Sequence, residues 1–281
     1  MVFGLSRDVD CILMTHAGLS GELTFRPDDV ERLKRERPRV RCLHRINEND
    51  LRKGTTGMDR VLAEADRVAD HTVFISSWLR DYHAERWFDT TRPHSVILNG
   101  ADPRVFHPVG NRLRSKSEPW RIVTHHWSNN WLKGFRVYQA LDACIAAGEL
   151  ADVELHVVGR WPSEIVWKVA RTHPPTDGPA LADLLRRCHL YVTASQWEPG
   201  GMHFIEGLQC GLPLVYHVDG GGIVELGERF GVGFRDDVAA AIRTAIDQYA
   251  ALRRRLLADP PSGDLMGIAY RRLVQRLLAD V

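Results

Sequence analysis

Two glutamates, Glu198 and Glu206, have seven residues between them in the stretch EPGGMHFIEGLQCGLPLV, which runs to Val215. Pro199, Gly200 and Gly201 exclude a stable helix around Glu198, so that carboxylate lies on a loop. From Met202 to Cys210 the residues suit a helix, and Gly211 with Pro213 stops it. Glu206 then projects from about its second turn, and Leu212 to His217 reads as a buried strand. A helix start preceded by glycines offers backbone N–H groups to an anion. The carboxylates cannot partner that anion, but they can accept hydrogen bonds from hydroxyls beside it. An anion with hydroxyl-rich groups on both sides describes a nucleotide sugar: ribose, diphosphate, hexose. On this stretch alone a solvated Glu-Pro-Gly-Gly turn and an ordinary helix-surface Glu206 fit equally well.

The carboxylates need elements to hold them. Strand-like and helix-like segments alternate, which predicts α/β layering with parallel sheets. Strands are expected at 10–16, 40–46, 71–76 and 95–99, with helices at 27–37, 58–69 and 77–87. Residues 100–120, rich in Pro, Gly, Ser and charge, read as the domain boundary. The alternation then restarts: strands at 121–127, 153–159 and 190–195, helices at 134–148, 163–170 and 179–188, and a long helix from Val238 to about Ala258. A last helix, Leu265 to Leu278, has an apolar stripe and basic flanks. Ligands in such folds sit at the carboxyl ends of strands. The strand ending at Ser195 is followed at once by Glu198.

The charge balance, 37 basic against 36 acidic residues for a net of +1, gives no global case for nucleic acid binding. Five scattered cysteines without a Cys-x-x-Cys pair, and an N-terminus without a signal-peptide pattern, lead us to expect reduced thiols in a cytoplasmic protein. No apolar run approaches a membrane span.

The run from Ser195 to Val215 resembles the Glu-x7-Glu signature of retaining glycosyltransferases of family 4. Ser195, Glu198, Gly201, Glu206, Gly211, Pro213 and Val215 stand at its positions in order. VILNGADPRVFHP at 96–108 is similar to the family's hinge phrase, WLKGFRVYQALD at 131–142 to its Lys-Gly phrase, and DGGGIVEL at 219–226 to its Gly-Gly-x-x-Glu phrase. VRCLHRIN at 40–47 takes the place of a strand ending in an active-site histidine. The resemblance covers the chain from about residue 10 and implies a GT-B fold, two Rossmann-like α/β domains facing a cleft. Here these are a short acceptor-side domain, 1–108, and a nucleotide-sugar-binding domain, 109–281, with the last helix open to packing back on the first. It implies a hexosyltransferase-type enzyme in glycan biosynthesis. The enzyme would transfer sugar from a nucleotide-diphosphate sugar to a glycan, lipid or small-molecule hydroxyl, with no metal and no cofactor besides that co-substrate. Two features depart from the family. Trp127 or Ser128 stands where an arginine precedes the lysine, and the first domain lacks the glycine-rich opening strand and helix. The short domain keeps a second reading open, a non-catalytic or partner-dependent nucleotide-sugar-binding protein.

Carried over residue by residue, the resemblance gives Lys133 the donor diphosphate, Glu206 the ribose hydroxyls and Glu198 the transferred sugar. Gly200 and Gly201, with the backbone of Met202 and His203, approach the sugar and phosphates closely. His44 lies under the donor sugar. Each has a plainer reading: an exposed helix-start lysine, a surface glutamate, turn glycines, a structural strand-end histidine. Arg45 and Lys53 suit an acceptor, a phosphate or a solvated loop equally. His125 and His126 alternate to opposite faces of a strand, which excludes them as a metal pair. Asp8 and Asp10 read as a solvated strand start.

Overall fold

A computed structural model describes residues 8–15, 25–111 and 114–279. The chain divides into two compact units, one holding the residues up to Leu98 and from Leu265 onward, the other Asn99–Asp264.

In the first unit β1 (Cys11–Met14), α1 (Pro27–Glu36), β2 (Arg41–Ile46), α2 (Asp50–Lys53), α3 (Met58–Asp66), β3 (His71–Phe74), α4 (Ser77–Ala84) and β4 (His94–Val96) follow one another. Local chemistry sets the helix starts. Proline opens α1, where its missing N–H is harmless, and Asp28 and Asp29 sit in its first turn, complementing the helix dipole. The Asn49 side chain accepts from the Arg52 amide at 2.6 Å. The Asp50 carboxylate takes the Met58 and Asp59 amides at 2.8 and 3.0 Å, capping α3. The four strands pair in parallel in chain order.

In the second unit come β5 (Trp120–His126), α5 (Phe135–Ala146), β6 (Val153–Gly159), β7 (Arg171–His173), α6 (Gly178–Arg186), β8 (Leu190–Thr193), α7 (Met202–Gln209), β9 (Leu214–His217), α8 (Ile223–Phe230), β10 (Gly231–Phe234), α9 (Val238–Asp247) and α10 (Tyr249–Ala258). The sheet is parallel, in the order β10-β9-β8-β5-β6-β7. The chain steps outward from β5 to β7, then returns to β8 and steps the other way. The switch point therefore lies between β5 and β8, where open α/β sheets leave a crevice at the strands' carboxyl ends. Ile122, Leu155, Leu190, Val192 and Val215 bury the sheet against Phe135, Tyr138 and Leu141 of α5 and Ile242 of α9. The last helix, α11 (Gly263–Ala279), buries Leu273 against Leu43, Val73 and Ile97 of the first unit. Among the described residues no helix is long and apolar enough to cross a membrane.

Two expected elements differ. Residues 163–170 form no helix. The buried Asp142 carboxylate of α5 accepts the amides of Lys168, Val169 and Ala170 at 2.5, 3.0 and 2.7 Å, and amides so engaged cannot serve a helical ladder. The long helix breaks at Gln248 into α9 and α10. Its apolar positions 245, 249, 252 and 256 keep helical spacing through the break, so periodicity gives no sign of it. Tyr249 packs edge-on against Trp120, with ring centroids 5.0 Å apart.

His83 of α4 shows what burial does to titration. Its Nε2 donates to the Glu48 carbonyl at 3.0 Å and its Nδ1 accepts from the Trp87 indole N–H at 2.8 Å, a neutral imidazole with both nitrogens used. Burial pushes its pKa down to about 4. The unfolded chain, titrating near 6.5, binds the proton that the folded ring refuses. Stability is therefore flat above about pH 7 and falls as pH drops through the window from 6.5 to 4. His83 alone accounts for about 2 kcal/mol between pH 7 and pH 5, at ~1.4 kcal/mol per pH unit. His126 and His217, also lowered by burial, act in the same direction. Urea denaturation at pH 7.5, 6.0 and 5.0 checks this, and an equal midpoint at all three would refute it.

Candidate functional site

The loop after β5 carries Lys133. Asn130 starts a 3-10 turn over Trp131–Lys133, its Oδ1 accepting from the Leu132 amide at 2.8 Å. Gly134 ends that turn with φ at 91°, in the left-handed region. A Cβ there would meet the Cβ of Ala194 at 2.3 Å, so only glycine lets this loop lie against the end of β8. The Gln196 amide donates to the Leu132 carbonyl at 3.0 Å, and the Ser195 hydroxyl to the Lys133 carbonyl at 3.4 Å. The two loops at the switch point are thus pinned together. Between them Lys133 Nζ and Glu198 Oε2 form an ion pair of 2.8 Å, with side chains only 12% and 10% exposed.

Glu198 is fixed through its backbone as well. Its amide donates to the Gly220 carbonyl at 3.2 Å, its carbonyl accepts from Gly222 at 2.7 Å, and the Trp197 amide donates to Asp219 at 2.9 Å. Trp197 holds φ at 53°, a conformation that non-glycine residues seldom adopt. Gly201 caps α7 without any side-chain cap. A Cβ at Gly201 would meet the His203 ring at 2.7 Å and the Glu198 carboxyl carbon at 3.1 Å, so the carboxylate lies beside the helix N-terminus. Asn99 donates to the Gly200 carbonyl at 2.7 Å. Met202 opens the helix half-exposed, and His203 is buried with Nε2 3.1 Å from the Thr193 hydroxyl.

Glu206 follows in the second turn of α7. Its Oε2 accepts from His125 Nε2 at 2.9 Å. The neighbouring His126 faces the other way, toward the Tyr138 hydroxyl of α5 at 3.1 Å, and burial drives its pKa well below 6.5. Opposite-face alternation thus gives His125 to α7 and His126 to α5. Sequence reasoning set both aside as a failed metal pair and missed His125 as a partner of Glu206. It also missed Asn99 and Trp197. The alternation itself was the available signal, since one of two adjacent strand histidines must face α7.

His44 and Lys53 belong to the first unit. His44, in the first unit, is fully buried on β2, with Nδ1 2.9 Å from Asp66, a carboxylate also paired with Arg92 at 2.6 Å. Lys53 pairs with Glu48 at 3.1 Å on the surface.

A buried ion pair offsets a large desolvation cost only while both partners are present. Lys133→Met should leave Glu198 uncompensated and destabilise the protein by about 3–5 kcal/mol, whereas Lys133→Met with Glu198→Leu should regain most of that loss. A double-mutant cycle by chemical denaturation reads both. Additive losses would mean the two side chains do not interact.

Residues 171–265 match the family described as Glycosyl transferases group 1. No curated protein matches the chain. Among solved structures it is similar to sucrose-phosphate synthase from Thermosynechococcus elongatus, with a TM-score of 0.71 and 18% identity over 97% of this chain and 74% of that one. It is similar to Anabaena Alr3699/HepE in complex with UDP and glucose, with a TM-score of 0.69 and 16% identity over 96% and 78%. The pneumococcal O-GlcNAc transferase GtfA in complex with UDP and GlcNAc gives a TM-score of 0.65 and 13% identity over 88% and 55%. With its two parallel-sheet, Rossmann-like units the chain has the GT-B fold of glycosyltransferases, and within it residues 171–265 match group 1.

Proposed function

We propose that the protein is a retaining, metal-independent glycosyltransferase of family 4 that moves a hexosyl group from a nucleoside-diphosphate sugar to an acceptor hydroxyl. The observation that carries this reading is the Lys133–Glu198 pair, 2.8 Å apart at the switch point and beside the N-terminus of α7, where the N-cap residue is the glycine Gly201. Solved relatives in complex with UDP favour a uridine nucleotide.

In this reading the diphosphate occupies the start of α7, against its amides and Lys133 Nζ. Glu206 accepts from the ribose hydroxyls. Glu198, Gly200 and the close-packed Gly201 orient the sugar, with the Met202 and His203 backbone toward the phosphates. The sugar's anomeric carbon parts from the phosphate oxygen, and the acceptor oxygen bonds to it on the same face. The acceptor's proton passes to the leaving phosphate. Negative charge grows on the diphosphate as that bond breaks, and Lys133 and the helix amides are already in place to meet it. The positive charge this step needs therefore comes from the chain itself. We assign the enzyme to glycan biosynthesis in the cytoplasm. Its five free thiols suit a reducing compartment.

Release of UDP from UDP-glucose tests the reading. Lys133→Ala should lower turnover about 10²–10³-fold, the range for loss of one electrostatic donor, and should weaken donor affinity less, because the lysine matters most in the transition state. Near-wild-type turnover in a folded variant would place the diphosphate elsewhere.

Turnover should also survive EDTA. Complete loss, restored by magnesium or manganese, would overturn the metal-free mechanism.

A further inference from the structure

His125 has a role that its place at the end of β5 alone does not suggest. Its two ring nitrogens are both engaged and on opposite sides. Nε2 lies 2.9 Å from Glu206 Oε2. Nδ1 lies 3.1 Å from the Tyr191 hydroxyl, which also accepts from the His125 amide at 3.1 Å and lies 3.4 Å from the His125 carbonyl. Tyr191 is fully buried under α7, where a Cβ on Gly207 would meet its ring at 2.4 Å. Burial holds the phenol well above 10, so it stays an O–H donor. A phenol that donates to Nδ1 leaves the proton on Nε2, and Nε2–H then donates to the carboxylate. The imidazole cannot swing away, because its plane is held edge-on to the Tyr191 ring at 5.6 Å and to the His203 ring at 6.3 Å.

We propose that His125 is the positioning residue of the nucleotide site: held by Tyr191 as the Nε2–H tautomer, it fixes one oxygen of Glu206 so that the other faces the ribose hydroxyls of a uridine nucleotide. This rests on the assignment of Glu206 to the ribose. Glu206 on α7 has rotamer freedom that would have to be lost on binding, and the Tyr191–His125 chain removes that freedom beforehand. A partner that orients a ligand-binding group through its second nitrogen typically costs about 10–100-fold on removal, as with metal-bound histidines. His125 should therefore act on affinity for the nucleotide more than on the bond-breaking step.

Calorimetric titration with UDP, free of any sugar or acceptor, tests this on the full chain. His125→Phe should weaken UDP binding about tenfold, and His125→Gln, whose amide can donate to Glu206, should recover most of that loss. The KM for UDP-glucose should rise with little change in kcat. In a Glu206→Ala background His125→Phe should have no further effect on UDP affinity. Tyr191→Phe, which keeps the buried ring, should weaken UDP binding in the same direction by a smaller factor. Should Glu206→Ala bind UDP normally, the ribose assignment fails. If Glu206→Ala weakens binding while folded His125→Phe does not, the positioning role alone is overturned. A fall in melting temperature for His125→Phe with unchanged UDP affinity would likewise reduce His125 to a packing residue and overturn it.

Discussion

The second unit is organised around one buried ion pair. Lys133 and Glu198 come from loops after β5 and β8, the strands on either side of the point where the sheet reverses direction. Nearly desolvated charges survive there because each compensates the other and because backbone bonds fix both loops. The Gln196 amide, the Ser195 hydroxyl and the Asp219–Gly222 turn supply those bonds. Gly134 is the steric condition for the whole arrangement, since any side chain would drive the lysine loop off Ala194. The strained backbone of Trp197 lies in the same loop, consistent with strain gathering where a site is built.

Around that pair the polar groups are paired off in opposite directions across β5. His125 joins Tyr191 and Glu206 on the α7 side, and His126 joins Tyr138 on the α5 side. The same low dielectric that strengthens these bonds holds the His126 pKa well below 6.5. The result is a carboxylate on each side of one helix start: Glu198 with its lysine before it, Glu206 with its histidine one turn and more beyond. This is the arrangement on which the proposed binding of a diphosphate with hydroxyls on both sides rests. In the first unit the fully buried His44 is likewise held through one nitrogen by a buried carboxylate, Asp66, which is ion-paired with the part-exposed Arg92.

The order of strands and helices could be read from the chain because periodicity and punctuation are local. Pro27 opens α1, Gly211 and Pro213 close α7, and the apolar run at 190–193 is a strand buried along its whole length. Glu198, Glu206 and Lys133 could be singled out because their spacing to glycines and prolines marks loop and helix boundaries. The helix expected at 163–170 failed because Asp142, a side chain from α5, takes its amides. The break at Gln248 escaped notice because apolar spacing continues across it while Tyr249 packs on Trp120, far earlier in the chain. Short elements such as β7 and β10 carry too few residues for a period to show.

The sequence by itself determined the class of fold, the loop that carries Lys133, and the placing of the two glutamates before and within one helix. Those follow from backbone preferences and from side-chain alternation, which act over a few residues. Which groups meet was decided only by the tertiary structure: Lys133 with Glu198 across 65 residues, His125 with Glu206 across 81, Asn99 with the Gly200 carbonyl across 101. Burial, and with it the balance between desolvation and pairing that gives each ion and imidazole its state, is a property of the assembled sheet and helices, and no local pattern encodes it.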